Sequence, residues 1–204
     1  MSHGSTRFTL KLKMATTYKP PLALPRRWQQ GYSVFLAGSI EMGAAPDWQA
    51  EIERNLAHLD IDIYNPRRDN WDPTWVQSAD NPQFREQVEW ELDALAQANL
   101  VVMYLAPGTM SPISLLELGI YAANGGNKLI VCCPEGFHRK GNVDIVCERY
   151  GVEQVDSLEE LEEVITYKWV EGICLSTTGM SEFHEPTDDF DNGSNNPIIN
   201  SHFK

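Results

Sequence analysis

Short apolar runs alternate with segments of helical periodicity along most of this chain. Five apolar runs predict strands, at residues 33–37, 61–64, 100–105, 128–133 and 152–155. Apolar positions at helical spacing predict helices at 47–59, 82–98, 113–124, 142–150 and 157–170. This repeated alternation is typical of a parallel sheet with helices on both faces. We therefore predict a three-layer α/β domain, flavodoxin-like or Rossmann-like, with a five-stranded parallel sheet and the run 100–105 at its centre.

The alternation of apolar runs and helical segments spans residues 32–174, and the segments on either side of it differ in composition and periodicity. Residues 1–31 mix charges, prolines and small polar residues without a clear period, which predicts an N-terminal extension. Residues 175–204 are polar and rich in Gly, Asn and Asp, which predicts a mobile C-terminal tail. A chain of 204 residues suits one domain with a good core.

Composition and charge narrow the choice of partners and location. A net charge of -13 argues against a nucleic acid polymer, because phosphate backbones attract clustered Lys and Arg. No apolar run approaches the ~18 residues that can span a bilayer, and the N-terminus lacks a signal-type stretch. We therefore expect no membrane partner and a cytoplasmic location. The spacing of the four cysteines fits neither a zinc site nor a disulfide framework, which favours reduced thiols.

The segment after the run 100–105 carries the most distinctive chemistry. A turn at 106–109 ends the strand, and Glu117 then falls in the first turns of the next helix among leucines. Open α/β sheets bind ligands at the carboxyl ends of their strands. A carboxylate in apolar surroundings is costly unless it is used. Glu117 is therefore a candidate catalytic residue, and the alternative is that it points to solvent or pairs with a neighbour.

Small residues follow two of the predicted strands at the same edge of the sheet. Gly38 and Ser39 follow the first strand, and Gly108 and Ser111 follow the third. Such residues let backbone and hydroxyl donors approach a ligand's hydroxyls or phosphates, although turns also need small residues for their own geometry. The chain has neither a GxGxxG nor a Walker A motif, so a dinucleotide or triphosphate fingerprint is absent.

A second carboxylate is needed if Glu117 acts on an acetal-like carbon, because such reactions pair a nucleophile with an acid. At about 100° per residue, Glu91 lies at the edge of the apolar stripe of the helix 82–98, whereas Asp93 lies opposite and should face water. The predicted stripe comprises Phe84, Val88, Leu92 and Leu95. Glu91 is our second candidate, and the alternative is that these acids form an ordinary solvated helix face.

Three segments occur in a diagnostic order along the chain: Phe35–Ser39, Glu91–Val102 and Leu116–Ala122. Together they resemble the nucleoside 2-deoxyribosyltransferase family, with a similarity that spans about residues 32–156. The resemblance implies a flavodoxin-like enzyme that exchanges the base of a 2′-deoxynucleoside. Glu117 would attack C1′ to form a deoxyribosyl-enzyme ester, and Glu91 would handle the proton of the departing and incoming bases. No metal or redox cofactor is implied.

The resemblance also implies partners and a mode of assembly. The small-molecule partners would be a nucleoside and a free nucleobase. The assembly would be a homo-oligomer with shared active sites, in which an Asn from a neighbouring subunit holds the catalytic Glu, and Asn142 is the best match. The long polar loop 65–81 has the length of a functional loop, and we expect its Trp71 and Asp72 to contact the base.

Two departures from the transferase pattern bear on the substrate. Ser111 stands where the transferases often carry an Asp that contacts the sugar 5′-hydroxyl. In this respect, and in Gly38-Ser39-Ile40, the chain is similar to the related 2′-deoxynucleoside 5′-monophosphate N-glycosidases, which hold the 5′-phosphate with serines and basic residues. However, Glu41 stands where a phosphate binder would prefer a cation. The basic residues that could compensate are Arg67, Arg68, Arg139 and Lys140.

We therefore predict a deoxyribosyltransferase that acts on a neutral nucleoside. The first alternative is an N-glycosidase that hydrolyses a nucleoside or its 5′-monophosphate and hands the sugar to water. The second alternative is a non-catalytic nucleotide-binding module on the same fold, since fold alone does not dictate function.

Overall fold

The computed structural model describes residues 13–26, 29–43, 45–72, 74–124 and 126–177. Its strands are β1 (Thr16–Tyr18), β2 (Tyr32–Gly38), β3 (Ile61–Tyr64), β4 (Leu100–Tyr104), β5 (Leu129–Cys132) and β6 (Glu153–Val155). Its α-helices are α1 (Trp48–Asn55), α2 (Pro82–Gln97), α3 (Pro112–Ala123), α4 (Lys140–Tyr150) and α5 (Leu158–Thr177). A 3-10 turn, Glu41–Gly43, follows β2.

The six strands form one parallel sheet in the order β1-β3-β2-β4-β5-β6. Leaving β1 aside, the remaining five strands have the 2-1-3-4-5 order of flavodoxin-like folds, so the predicted three-layer class is confirmed. The predicted count of five strands was wrong by one. The extra strand β1 lies within the predicted N-terminal extension and pairs Thr16 with Asp62 of β3. Strand β1 has only three residues, and two of them are threonines. It therefore contains no apolar run from which the strand could have been predicted.

Two apolar clusters fill the space on the two faces of the sheet. Met103 of β4 joins the cluster that contains residues of α2, α3 and α4, whereas Val102 joins the cluster that contains residues of α1 and α5. Adjacent residues of a strand point to opposite faces, so a strand covered on both sides must be apolar at almost every position. This is why β4 is a continuous apolar run and lies in the middle of the sheet.

Helix α2 is rotated relative to the prediction. Its buried side chains are Gln87, Trp90, Ala94 and Leu95. Leu92, predicted to be apolar core, is 53% exposed, whereas Asp93 is exposed as predicted. The predicted stripe was therefore wrong by about one residue, because the large indole of Trp90 is buried and donates a hydrogen bond of 2.7 Å to the carbonyl of Leu22. The rotation moves Glu91 from the edge of the buried face to within it.

The remaining differences concern helix ends and the flanking segments. Helix α1 ends at Asn55 rather than near residue 59, and α5 continues to Thr177 rather than about 170. Residues 175–177 of the predicted tail are therefore helical. The rest of that tail, 178–204, and residues 1–12 of the predicted N-terminal extension lie outside the described residues. Within the described part of the chain, no helix is long and apolar enough to cross a membrane.

Candidate functional site

The carboxyl ends of β2 and β4 come unusually close at Gly38. This residue has φ +134°, and a Cβ built on it would lie 2.1 Å from the carbonyl oxygen of Tyr104. The next residue, Ser39, donates its backbone N–H to the same oxygen at 2.9 Å. Only glycine fits such an approach of two backbones. Gly38 was predicted from the sequence to lie at the ligand-binding edge of the sheet. The structure shows that the close approach of β2 and β4 itself requires a glycine at this position.

Three buried hydroxyl groups meet just above this point. The Oγ of Ser39 lies 2.6 Å from the Oγ of Ser111 and 2.8 Å from the Oγ1 of Thr109. Thr109 donates its own proton to the carbonyl of Ala106 at 2.7 Å. Thr109 therefore accepts within the cluster, and the Oγ of Ser111 also donates to Oε1 of Glu41 at 3.4 Å. The structure brings the two predicted serines together, and Thr109, from the same turn after β4, is the third member of the cluster.

The start of α3 is capped by a residue from another loop. Ser111 occupies the N-cap position in the left-handed region, at φ 43° and ψ 54°, and its own side chain makes no capping bond. Instead, Oε1 of Glu41 accepts hydrogen bonds from the backbone N–H groups of Met110, at 2.9 Å, and Ser111, at 2.7 Å. A carboxylate at this position satisfies orphan donors and interacts favourably with the helix dipole.

Farther along α3, Glu117 lies close enough to Glu91 of α2 for the charge of one carboxylate to act on the other. Both side chains are partly buried. Burial raises the pKa of Glu91 to about 7, against a weaker opposing effect of its hydrogen bond from Gln87. Burial raises the pKa of Glu117 to about 8, and the negative charge of Glu91 adds to that rise. A partly buried carboxyl pair with raised pKa values is the arrangement used for acid–base work at neutral pH.

Two neighbours of these carboxylates were not singled out from the sequence. Gln87 donates from Nε2 to Oε1 of Glu91 at 2.7 Å and to the carbonyl of Pro66 at 2.9 Å. Tyr121 lies close enough to Glu117 that the carboxylate helps to raise the pKa of the phenol, although burial is the larger cause. Gln87 precedes Glu91 by four residues, and Tyr121 follows Glu117 by four. The i,i+4 spacing on a helix is the signal that could have found both.

Among the described residues, no hydrogen bond joins Asn142 to Glu117. Asn142 lines a shallow groove between α3 and α4 together with Leu115 and Gly119. These two residues are each two positions from Glu117, so they lie about 160° away from it around α3. Gly108 lies in the turn before α3, and its N–H donates to the carbonyl of Gly136 at 2.9 Å in the neighbouring loop.

The loop 65–81 is organised around tryptophans. The rings of Trp71 and Trp75 meet edge to face at 5.2 Å, and the guanidinium of Arg68 lies 5.0 Å from the centre of the Trp75 ring. Asp72 is exposed, and its Oδ1 accepts hydrogen bonds from the backbone and hydroxyl of Thr74. Among the described residues, no hydrogen bond joins Trp71 or Asp72 to either carboxylate. Their predicted role in binding the base remains a prediction.

Comparison with known proteins places this chain in a family. The sequence model of the family described as nucleoside 2-deoxyribosyltransferase like matches residues 31–137, which is more than half of the 204-residue chain. The match spans Gly38, Ser111 and both carboxylates, whereas Asn142 lies beyond it. No curated protein sequence matches the chain.

Among solved structures, a crystal structure of a conserved protein from Enterococcus faecalis V583 is similar, with a TM-score of 0.50. The two sequences are 16% identical, over 67% of this chain and 98% of that chain. At this level of identity the likeness shows the fold alone. The family match, the fold and the two facing carboxylates agree, and the chain belongs to the nucleoside 2-deoxyribosyltransferase-like family of nucleoside-metabolising enzymes.

Proposed function

We propose that this protein exchanges the base of a 2′-deoxynucleoside through a covalent deoxyribosyl intermediate on Glu117. The observation that carries the proposal is the pair of partly buried carboxylates on facing helices, inside the segment that matches the family. Such a pair holds about one proton near neutral pH, because burial and mutual repulsion oppose ionisation of both groups. A retaining displacement at C1′ requires Glu117 ionised and Glu91 protonated. Because the pKa of Glu117, about 8, is higher than that of Glu91, about 7, the shared proton lies mainly on Glu117 in the free protein, and the reaction proceeds from the form in which it has moved to Glu91.

In the first step, a carboxylate oxygen of Glu117 bonds to C1′ as the N-glycosidic bond breaks. The electron pair of that bond goes to the base nitrogen, which takes the proton from Glu91. In the second step, Glu91 takes the proton from the N–H of the incoming base while that nitrogen attacks C1′. The bond between C1′ and Glu117 breaks with its electron pair returning to the carboxylate. Two displacements at one carbon retain its configuration.

An oligomer with shared active sites is part of this proposal. Asn142 and Glu117 lie on different sides of α3, so an Asn142 that touches this carboxylate would belong to another copy. The outer surface of the same helix supports assembly, because it is apolar where a solvated helix would be polar. Ile113 and Leu116 are each 61% exposed, and Ile120 is also exposed.

The experiment that tests the function is chromatography of the products formed from a panel of 2′-deoxynucleosides, each with and without a free acceptor base. A new nucleoside that forms only with the acceptor supports base exchange. A Glu117→Ala variant should lose at least 10³-fold in rate, since the covalent step has no other nucleophile. The matched control is Glu163→Gln, which removes an exposed carboxylate from α5 and should leave the rate unchanged.

Other outcomes of the same experiment would contradict the proposal in different ways. Release of free base and free sugar, with or without an acceptor, would make the protein an N-glycosidase. Turnover that survives the Glu117→Ala substitution would exclude the covalent role of this carboxylate. Binding of nucleosides without any turnover would make the chain a binding module.

A further inference from the structure

Helix α2 ends on a cation that comes from another part of the chain. The last turn of α2 contains no basic residue, although its carbonyls need donors and the helix dipole favours a positive charge there. Lys128, in the turn before β5, supplies both. Its Nζ donates to the carbonyl of Leu95 at 2.7 Å, and to those of Ala98 at 3.3 Å and Ala96 at 3.4 Å. Three N–H groups of one ammonium therefore meet three backbone acceptors.

The backbone around Lys128 is held by the turn that joins α3 to β5. The N–H of Gly126 donates to the carbonyl of Tyr121 at 3.3 Å, and the N–H of Leu129 donates to the carbonyl of Gly126 at 2.8 Å. The carbonyl of Lys128 accepts a hydrogen bond of 2.6 Å from the N–H of Val101 in β4. The backbone of Lys128 thus has a fixed place between α3 and the sheet, and its charged end reaches across to α2.

The same ammonium group also contacts α3. It lies 5.0 Å from the centre of the Tyr121 ring, where a cation is attracted by the aromatic face. Tyr121 follows Glu117 by four residues, and Leu95, which accepts the shortest hydrogen bond from Lys128, follows Glu91 by four. Residues four apart on a helix are neighbours. Lys128 therefore contacts each of the two helices one turn beyond its carboxylate.

From these contacts we infer that Lys128 is a positioning residue that sets the separation of Glu91 and Glu117. This inference rests on the proposed function, in which one carboxyl group must reach C1′ while the other reaches the base. The contacts described above act through the backbone of α2 and the ring of Tyr121. A displacement of about 1 Å in such an arrangement can cost about 10²-fold in rate.

The kinetic test compares kcat and KM for base exchange in the wild type, Lys128→Met and Lys128→Arg. We expect Lys128→Met to lower kcat at least about tenfold and to change KM less than about threefold, since it displaces reacting groups. Lys128→Arg keeps a cation with several N–H donors and should recover most of the loss. Lys168→Met, which removes a lysine that pairs with Glu153, is the matched control and should keep the wild-type kcat. An unchanged kcat in Lys128→Met would overturn the inference.

A titration of the two carboxyl groups separates positioning from a general loss of stability. Burial is the main cause of the raised pKa of Glu117, about 8, and the charge of Glu91 adds to it. A wider separation weakens the effect of Glu91, so the upper pKa of the pair should fall by about half a unit or more in Lys128→Met. Loss of a nearby positive charge would by itself raise that pKa, so the sign of the shift distinguishes the two effects.

The pKa values are read from the ¹³C chemical shifts of labelled glutamate side chains, assigned with Glu91→Gln and Glu117→Gln. An unchanged or raised upper pKa in Lys128→Met would overturn the inference even if kcat falls. Lys168→Met should titrate like the wild type. If Lys128→Met does not fold, Lys128→Gln is titrated in its place, because its amide loses the charge but keeps N–H donors for the carbonyls of α2. The same fall is expected, and its absence would overturn the inference.

Failure of the proposed function gives a different result, because the titration needs no turnover. A wild type that exchanges no bases would contradict the proposed function. A lowered upper pKa in Lys128→Met would still support the positioning role of Lys128, whereas an unchanged value would overturn it.

Discussion

Gln87 joins Glu91 to the loop after β3. Its amide nitrogen donates to the carboxylate of Glu91 at 2.7 Å and to the carbonyl of Pro66 at 2.9 Å. The side chain of Gln87 is buried on α2, so water cannot easily replace it as a donor. One amide therefore holds the carboxylate in place and stabilises its ionised form.

Replacing Gln87 with Ala should shift the pH dependence of catalysis. The variant loses the hydrogen bond that lowers the pKa of Glu91, so this pKa rises above its already raised value of about 7. Because Glu91 must be protonated to release the base, the alkaline limb of the pH–rate profile should move to higher pH by roughly half a unit or more. Gln83→Ala, on the exposed side of the same helix, is the control. A profile that is identical in Gln87→Ala and the wild type would count against the role of this amide.

Replacing Glu117 with Gln should stabilise the protein at alkaline pH. The pKa of Glu117 is about 8 in the folded chain and 4.5 ordinarily, so between these values the folded chain binds more protons than the unfolded chain. The free energy of unfolding of the wild type therefore falls as the pH rises from about 4.5 to about 8, and Gln removes this loss. We expect a gain of about 1–3 kcal/mol at pH 8 that disappears near pH 4.5.

The stability of Glu117→Gln is measured by urea denaturation across this pH range, with Glu163→Gln as the exposed control. A gain that is the same at every pH would show that the substitution acts through packing rather than through the charge of the carboxylate.

Substituting Gly38 with Ala should destabilise the sheet severely. The new Cβ would lie 2.1 Å from the carbonyl of Tyr104, and the φ of +134° excludes an ordinary side chain. We expect a loss of about 3 kcal/mol or more in the free energy of unfolding, measured by denaturation. Gly141→Ala is the matched control, because a Cβ there meets nothing within 4 Å in helix α4. That variant should be neutral or more stable by up to about 1 kcal/mol. Equal stabilities of the two variants would contradict the close approach of β2 and β4.

Mixing two inactive variants should restore activity if sites are shared between subunits. Glu117→Ala lacks the nucleophile and Asn142→Ala lacks the residue supplied to the neighbour, so a mixed dimer has one complete site. Random reassociation of equal amounts should recover about a quarter of the wild-type activity. In the control, Glu117→Ala is mixed with Glu91→Ala, which should recover none, because these two carboxylates interact within one chain. An Asn142→Ala variant that is fully active alone would refute the shared site.

Much of the architecture could be predicted because it follows from the local pattern of apolar and polar residues. Continuous apolar runs mark strands buried on both faces, and this periodicity was enough to predict the parallel sheet and its central strand β4. The same reasoning located Glu117 and Glu91 as candidate residues, because a carboxylate among apolar side chains is unusual wherever it occurs. It missed β1, since a short edge strand owes its conformation to its partner rather than to its own residues.

The contacts that give the site its chemistry could not be predicted in this way. Glu41 and Ser111 are 70 residues apart, and their hydrogen bond exists only because the ends of β2 and β4 are neighbours in the sheet. The rotation of α2 that buries Glu91 follows from where the indole of Trp90 packs. The spacing of apolar residues along a helix indicates only which side of the helix is buried on average. Charge, proton affinity and hydrogen bonding at a site depend on atoms that only folding brings together, so the partners of each carboxylate are properties of the tertiary structure.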